Sequence, residues 1–191
     1  MRSLYTVANE DYTDYDCFAL FIMTHGDRGS LRAYDRDIRV EELFIPFQKS
    51  PTLHGKPKLF FIQACRGKYL DAGHLMQDVT DTPSYFRIPT WADFLIAYST
   101  VEGYYSWRHV QKGSWFLQAL VSVIREKSHC DDLMTMFAEI NRKVSYEFTS
   151  NNPKDEDYHN RKQVPCVSSM LTRLLYFNLP DDSRQNSQSQ D

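Results

Sequence analysis

A thiol and an imidazole are the side chains in this sequence whose types and settings suit covalent chemistry. Cys65 follows the apolar run Leu59-Phe60-Phe61-Ile62 and precedes Arg66-Gly67, and His25 lies in Thr24-His25-Gly26 at the end of a second apolar run, residues 17–23. A free thiol is a poor nucleophile at neutral pH because its pKa is roughly 8.5, and a neighbouring imidazole that takes or holds the proton corrects this. The matching reaction is acyl transfer. Sulfur attacks a carbonyl carbon, and the oxygen becomes an anion that the backbone N–H groups of Gly26 and Cys65 are placed to receive. Taken alone, a cysteine is more often a small core hydrophobe and a histidine a surface residue in a turn. His54, His74, His109, His129 and His159 keep that plain reading, and the neighbours His129-Cys130 do not form a dyad, because adjacency in sequence is not geometry.

Two strands must deliver this pair. Residues 59–62 are too few for a helix and too uniformly apolar for a half-exposed strand, so they read as a strand buried on both faces of a parallel sheet. Such sheets place their chemistry at the carboxyl ends of the strands. Gly67 permits a sharp exit there, which presents the thiol at the sheet rim. The 40-residue separation of His25 and Cys65 is enough for a right-handed crossover. Residues 92–99 form a third buried strand ending at the same rim.

Between and after these strands the chain reads as follows. Residues 10–16 are an acidic surface loop, 27–39 a hairpin or loop, and Val40, Leu43, Phe44 and Phe47 a helix kept short or kinked by Pro46. Residues 50–54 turn into the Cys65 strand. Residues 68–90 show no period and carry Gly73 and Pro83, which makes them an exposed linker. Residues 101–113 hold rigid aromatics in a loop, the mark of a binding surface. Ser114 is placed to cap a helix with Phe116, Leu117, Leu120, Val121 and Ile124 on one face, and Asp131 or Asp132 to cap a second with Leu133, Met136, Phe137, Ile140 and Val144 inward. Residues 149–163 are a loop, 166–171 and 174–177 are strand-like, and the polar stretch after Pro180 is a disordered tail.

Composition narrows the function classes. A chain of 191 residues with 42% hydrophobic content suits one domain with a real core. Its 22 basic and 25 acidic residues give a net charge of −3 without a basic block, which argues against a nucleic-acid or anionic-membrane partner. Four cysteines with no C-x-x-C and no Cys/His cluster argue against structural zinc and a disulfide scaffold, and no metal or other cofactor is expected. No signal peptide or bilayer-length apolar run is present, so a soluble, cytoplasmic protein is expected.

Gln63-Ala64-Cys65-Arg66-Gly67 matches the caspase signature, which has a histidine upstream, and it overturns the plain reading of both residues. Further blocks resemble the caspase family in family order: residues 24–26, 55–67, 92–94, Tyr104-Tyr105-Ser106-Trp107-Arg108, Gly113-Ser114-Trp115-Phe116, 141–144 and Pro165-Cys166. The Tyr-Ser-Trp-Arg and Gly-Ser-Trp blocks are most similar to the executioner branch. The resemblance implies an α/β caspase fold, a mostly parallel sheet flanked by helices on both faces. It also implies a cysteine endopeptidase that cleaves after aspartate in programmed cell death. Cys65 would be the nucleophile, His25 the acid-base and Gly26 an oxyanion donor. Arg108 and Gln63 would bind the P1 carboxylate, for which a planar guanidinium offers a bidentate fork. Ser106 and Arg108 would hold the substrate backbone, Tyr105 and Trp107 form the S2 wall and Trp115 line S4.

The resemblance implies a division as well: residues 1–67 as a partial large subunit, 68–90 as an intersubunit linker, 91–180 as a small subunit and 181–191 as a tail. Asp81, at the end of Asp78-Val79-Thr80-Asp81, resembles an executioner activation cleavage site, and Asp71 is the runner-up. The family carries a first strand and helix, with another P1-pocket arginine, before the strand that ends at the histidine. Only 16 residues precede that strand here, so those elements are expected to be missing and the strand edge uncovered. His109 stands where executioner caspases usually have an asparagine facing P4. Partners implied are protein substrates cleaved after Asp, a homodimer or heterodimer with another caspase through the 166–171 strand, and inhibitor-of-apoptosis proteins. The alternative to the enzyme is a catalytically weak caspase-like regulator or decoy that dimerises with a complete caspase.

Overall fold

The computed structural model describes residues 2–71, 92–109 and 113–177. In chain order these form α1 (Arg2–Ala8), β1 (Phe18–Met23), β2 (Gly26–Asp27), β3 (Ser30–Arg32), β4 (Asp37–Arg39), a 3-10 turn (Val40–Leu43), α2 (Ile45–Gln48) and a second 3-10 turn (Pro51–Leu53). They continue through β5 (Lys58–Gln63), β6 (Phe94–Tyr98), β7 (Arg108–His109), β8 (Gly113–Ser114), α3 (Trp115–Lys127), α4 (Leu133–Glu147) and β9 (Cys166–Ser169).

The main sheet has the order β1-β5-β6-β9, with β1, β5 and β6 parallel and β9 antiparallel. Strands β5 and β6 are central and buried on both faces, as their unbroken apolar runs require. Side chains alternate between faces. Phe60, Ile62, Phe94 and Ile96 pack against one layer, built from α1, α2, Leu43 and Phe44, with Leu31 and Ile38 of the small β2-β3-β4 sheet. Leu59, Phe61, Leu95 and Ala97 pack against α3 and α4. Phe60 touches Phe44 edge-on at 5.0 Å and Phe47 at 5.5 Å, so truncating it to alanine would cost about 3–5 kcal/mol. Register fixes the rim. Met23 lies beside Gln63, so the residues after β1 and after β5 leave the sheet at the same level.

Several expectations hold. Pro46 sits in the first turn of a four-residue α2, which follows the 3-10 turn. Asp132 is the one of the two aspartates that caps α4, accepting from the N–H groups of Met134 at 2.9 Å and Thr135 at 3.3 Å. Its predicted inward row is fully buried.

Other expectations need correction. Ser114 occupies the N-cap of α3, but its hydroxyl makes no capping bond. The buried row of α3 is Trp115, Phe116, Ala119, Leu120 and Val123, while Val121 is 49% exposed. That helix carries two apolar rows, and the sequence pattern does not say which one meets the sheet. Residues 174–177 form no strand; there the carbonyl of Leu175 accepts from the N–H of Leu133 at 2.8 Å, at the start of α4. Helix α1 was not foreseen, because seven residues make too short a window for periodicity. Among the described residues β1 and β9 are the sheet's edges, and Phe21 and Met23 of β1 are 51% and 69% exposed.

Candidate active site

The rim is assembled by backbone close approach. The carbonyl of His25 accepts from the N–H of Arg32 at 2.8 Å, and the Thr24 hydroxyl donates to the Arg32 carbonyl at 2.6 Å, so the small sheet holds the histidine turn. The N–H of Thr24 donates to the Gln63 carbonyl at 3.1 Å, which carries the parallel ladder up to the histidine. A Cβ on Gly26 would lie 2.6 Å from the Cys65 carbonyl oxygen, so glycine is needed for the two turns to meet. After Cys65 the chain passes at Gly67, φ +151°, where a Cβ would fall 2.3 Å from the Gly103 carbonyl oxygen. The sharp exit read from sequence is therefore also a tight backbone crossing.

His25, Gln63, Cys65, Tyr105, Ser106 and Arg108 line one cavity of about 1030 Å³, which runs on along the outer row of α3 past Leu117, Val121 and Arg125. The Cys65 sulfur accepts from the Ser106 N–H at 3.5 Å and reaches toward the Ser106 carbonyl at 3.9 Å. Behind it runs a directed chain. Gln63 Nε2 donates to Ser106 Oγ at 2.8 Å, Ser106 Oγ to Ser99 Oγ at 2.8 Å, and Ser99 Oγ to the Ala64 carbonyl at 3.1 Å. Gln63 Oε1 is buried with no partner among the described residues. Arg108 is exposed on β7, opposite Ser114 of β8.

Tyr105 and Trp107 meet edge-to-face with ring centroids 5.1 Å apart. Burial pushes the Tyr105 hydroxyl pKa up, with the Cys65 and Tyr158 charges adding to it. The sequence reading missed Tyr158, which completes this aromatic corner at 6.2 Å from Tyr105 and 6.1 Å from Trp107. It comes from a polar loop with no period, so nothing local marked it. Trp115 is 5% exposed and stacked between Trp107 at 5.7 Å and Phe148 at 5.5 Å, so it backs the aromatic corner. It opens α3 on the row that faces the sheet.

Asp71 is not on a free linker. Its carbonyl accepts from the Lys162 N–H at 2.9 Å, and Tyr69 bridges Tyr104. Asp81 lies outside the described residues. Cys17, Cys130 and Cys166 are free thiols away from the cavity, and burial raises the pKa of Cys17 and Cys166. Among the described residues no group of three His, Cys, Asp or Glu is placed to hold a metal ion, and no helix is long and apolar enough to cross a membrane.

A protein-family profile for the caspase domain matches residues 1–176. The chain is 49% identical over 175 residues to "Caspase-1" of Spodoptera frugiperda, covering 89% of this chain and 58% of that protein. It is 39% identical to "Caspase drICE" of Drosophila melanogaster, covering 93% and 54%, and 42% identical to "Caspase-3" of Oryctolagus cuniculus, covering 93% and 65%. The crystal structure of caspase-1 from Spodoptera frugiperda superposes with a TM-score of 0.83 at 46% identity, covering 94% of this chain and 70% of that one. The chain belongs to the caspase family, with its α/β fold, and spans little more than half the length of several of the relatives it matches.

Proposed function

We propose that this chain is a thiol endopeptidase that cleaves after aspartate in programmed cell death. The carrying observation is that His25, the Gln63–Cys65 turn and Arg108, from three separate segments, line one cavity. Cys65 passes its thiol proton to His25 and the sulfur attacks the carbonyl carbon of the scissile bond, while the N–H groups of Gly26 and Cys65 receive the oxyanion. His25 gives a proton to the leaving amine as the C–N bond breaks, leaving a thioester on Cys65. Water then attacks the thioester as His25 takes its proton, the C–S bond breaks to release the product acid, and His25 returns the proton to the sulfur. A P1 carboxylate matches the Arg108 guanidinium with Gln63 beside it, Ser106 and Arg108 hold the substrate backbone, and Tyr105, Trp107 and Tyr158 enclose the P2 side chain. Fluorogenic peptides differing only at P1 test this: cleavage of Asp at least a hundredfold over Asn supports it, and equal rates refute it.

The division into residues 1–67, linker 68–90, small subunit 91–180 and tail 181–191 belongs to the same reading, as do a cytoplasmic setting, inhibitor-of-apoptosis partners and a dimer through β9. Activation cleavage falls at Asp81 rather than Asp71, because the Asp71 carbonyl is already held by Lys162. Amino-terminal sequencing after treatment with an active executioner caspase separates them: a fragment starting at Thr82 supports Asp81, and one starting at Ala72 overturns it. The second reading, a weak caspase-like regulator that dimerises with a complete caspase, draws on β1 and β9 being the sheet's edges among the described residues. It is favoured if the chain cleaves nothing but changes the turnover of another caspase.

A further inference from the structure

Gln163 lies outside the cavity lining, 2% exposed, yet both ends of its amide are committed. Its Oε1 accepts from the Trp107 N–H at 2.6 Å, and its Nε2 donates to the Ser99 carbonyl at 2.6 Å. The orientation is not arbitrary, since a backbone N–H can only donate and a backbone carbonyl can only accept. We propose that Gln163 is a positioning residue for the peptidase site proposed above. It sets the height of the Tyr104-to-Arg108 loop over the end of β6, so that Ser106 meets Cys65 and Arg108 reaches the cavity. The role rests on that functional reading.

Three features carry it. First, Ser99 is where the two sides join. Its hydroxyl accepts from the Ala64 N–H at 3.3 Å, donates to the Ala64 carbonyl and receives Ser106 Oγ, while its carbonyl receives Gln163. The residue before Cys65, the end of β6 and the substrate loop are thus referred to one point. Second, Gln163 stands on an anchorage independent of the cavity. The Lys162 N–H donates to Asp71, Lys162 Nζ donates to the Phe148 carbonyl at 2.9 Å and to Thr149 Oγ1 at 2.8 Å, and the Arg161 N–H donates to Ser150 Oγ at 2.7 Å. Third, Gln163 is the partner of the Trp107 N–H, and the loop's other bonds fall on other atoms, with Ser106 held by Gln63, Ser99 and Cys65. The Tyr105 N–H bonds Tyr69 at 2.9 Å and the Trp107 carbonyl bonds the Trp115 N–H at 3.3 Å. Without Gln163, the N–H of the residue between Ser106 and Arg108 loses its partner in a part-buried setting, and the loop shifts to recover one. Displacements of about 1 Å at a reacting site cost on the order of a hundredfold in rate.

The test uses the full chain with Gln163→Met, close in volume and unable to make either bond, and Gln163→Asn, too short to span both partners, which gives the same readouts if the first does not fold. For an aspartate peptide kcat/KM should fall about 10- to 100-fold, with most of the loss in KM. Alkylation of Cys65 by iodoacetamide should stay within about threefold, since a small reagent needs the thiol but not the loop. Backbone hydrogen exchange at Trp107 should speed up at least tenfold. A kcat/KM within twofold of wild type, or turnover and alkylation falling in step, overturns the positioning role. If the wild-type chain cleaves no aspartate peptide, the functional reading has failed by itself, and the exchange rate decides the structural part: faster exchange at Trp107 sustains the tether, unchanged exchange removes it.

Discussion

Strands β5 and β6 finish differently at their two ends. At the amino end, Lys58 is 5% exposed and donates Nζ to the carbonyls of Leu53 at 3.1 Å and Lys56 at 2.7 Å, lying 5.0 Å from the Phe94 ring centroid. Asp93, at φ +65°, accepts from the N–H of Thr172 at 3.2 Å and its hydroxyl at 2.6 Å. Burial pulls the Lys58 pKa down. Burial pushes the Asp93 carboxyl up, but the Thr172 bonds with the Lys58 and Arg173 charges outweigh it and hold it below the usual range. At the carboxyl end, Gln63 Oε1, Trp107 Nε1 and Ser114 Oγ are buried without partners among the described residues, and Arg108 stands exposed. Ser50 Oγ, in the turn before β5, is also buried without a partner among the described residues. The charged groups Lys58 and Asp93 are nevertheless satisfied and fix the strands in place, whereas the unpaired groups at the other end keep donors and acceptors ready for a ligand at a cost in stability.

If the two ends divide stability from chemistry, mutations should divide the same way. Cys65→Ala should abolish peptide cleavage and leave the melting temperature unchanged; turnover remaining in the variant would erase the distinction. Arg108→Ala should lower kcat/KM for an aspartate peptide by about a hundredfold or more, and Arg108→Lys should not restore it, because an ammonium cannot reproduce the planar fork. Steady-state kinetics of both variants decide this. At the opposite end, Asp93→Ala removes both Thr172 bonds and places alanine at a left-handed φ, so it should cost about 1–3 kcal/mol in denaturant unfolding while kcat stays within twofold.

The smallest effect lies away from both ends. Asp132→Ala should cost about 1 kcal/mol by uncapping α4. The Thr135 hydroxyl and the capped N–H groups hold the Asp132 carboxyl below its usual range. A carboxylate depressed in the folded state stabilises above its unfolded pKa and loses that contribution as pH falls through the folded one. The gap between wild type and variant should therefore be full at neutral pH and close below about pH 4, as read from unfolding curves across pH.

Strands β1, β5 and β6 were legible because their apolar runs are unbroken and end in small or polar residues, and the α4 face because one periodic row dominates. The outer row of α3 was not, since Leu117 and Val121 are as apolar as the row that is buried, and only the placement of the cavity distinguishes them. Cys65, His25, Gln63 and Arg108 were readable through motifs. Ser99, Tyr158 and Gln163 were not: each is an ordinary residue locally, and its role arises from contacts across long sequence separations, 64 residues in the case of Gln163 and Ser99. Trp115 was marked by its motif, while its stacking between Trp107 and Phe148 arises only from the fold.

The central claim is that this rim presents a thiol to the backbone carbonyl of a P1 aspartate. Peptide mapping by mass spectrometry after incubation with an aspartate-terminated peptide fluoromethyl ketone tests it most directly. The account predicts one adduct, on Cys65, formed at least tenfold faster than with the matching asparagine reagent and absent from His25→Ala over the same interval. Labelling of Cys130 or Cys166 in place of Cys65, or equal labelling by both reagents, would contradict it.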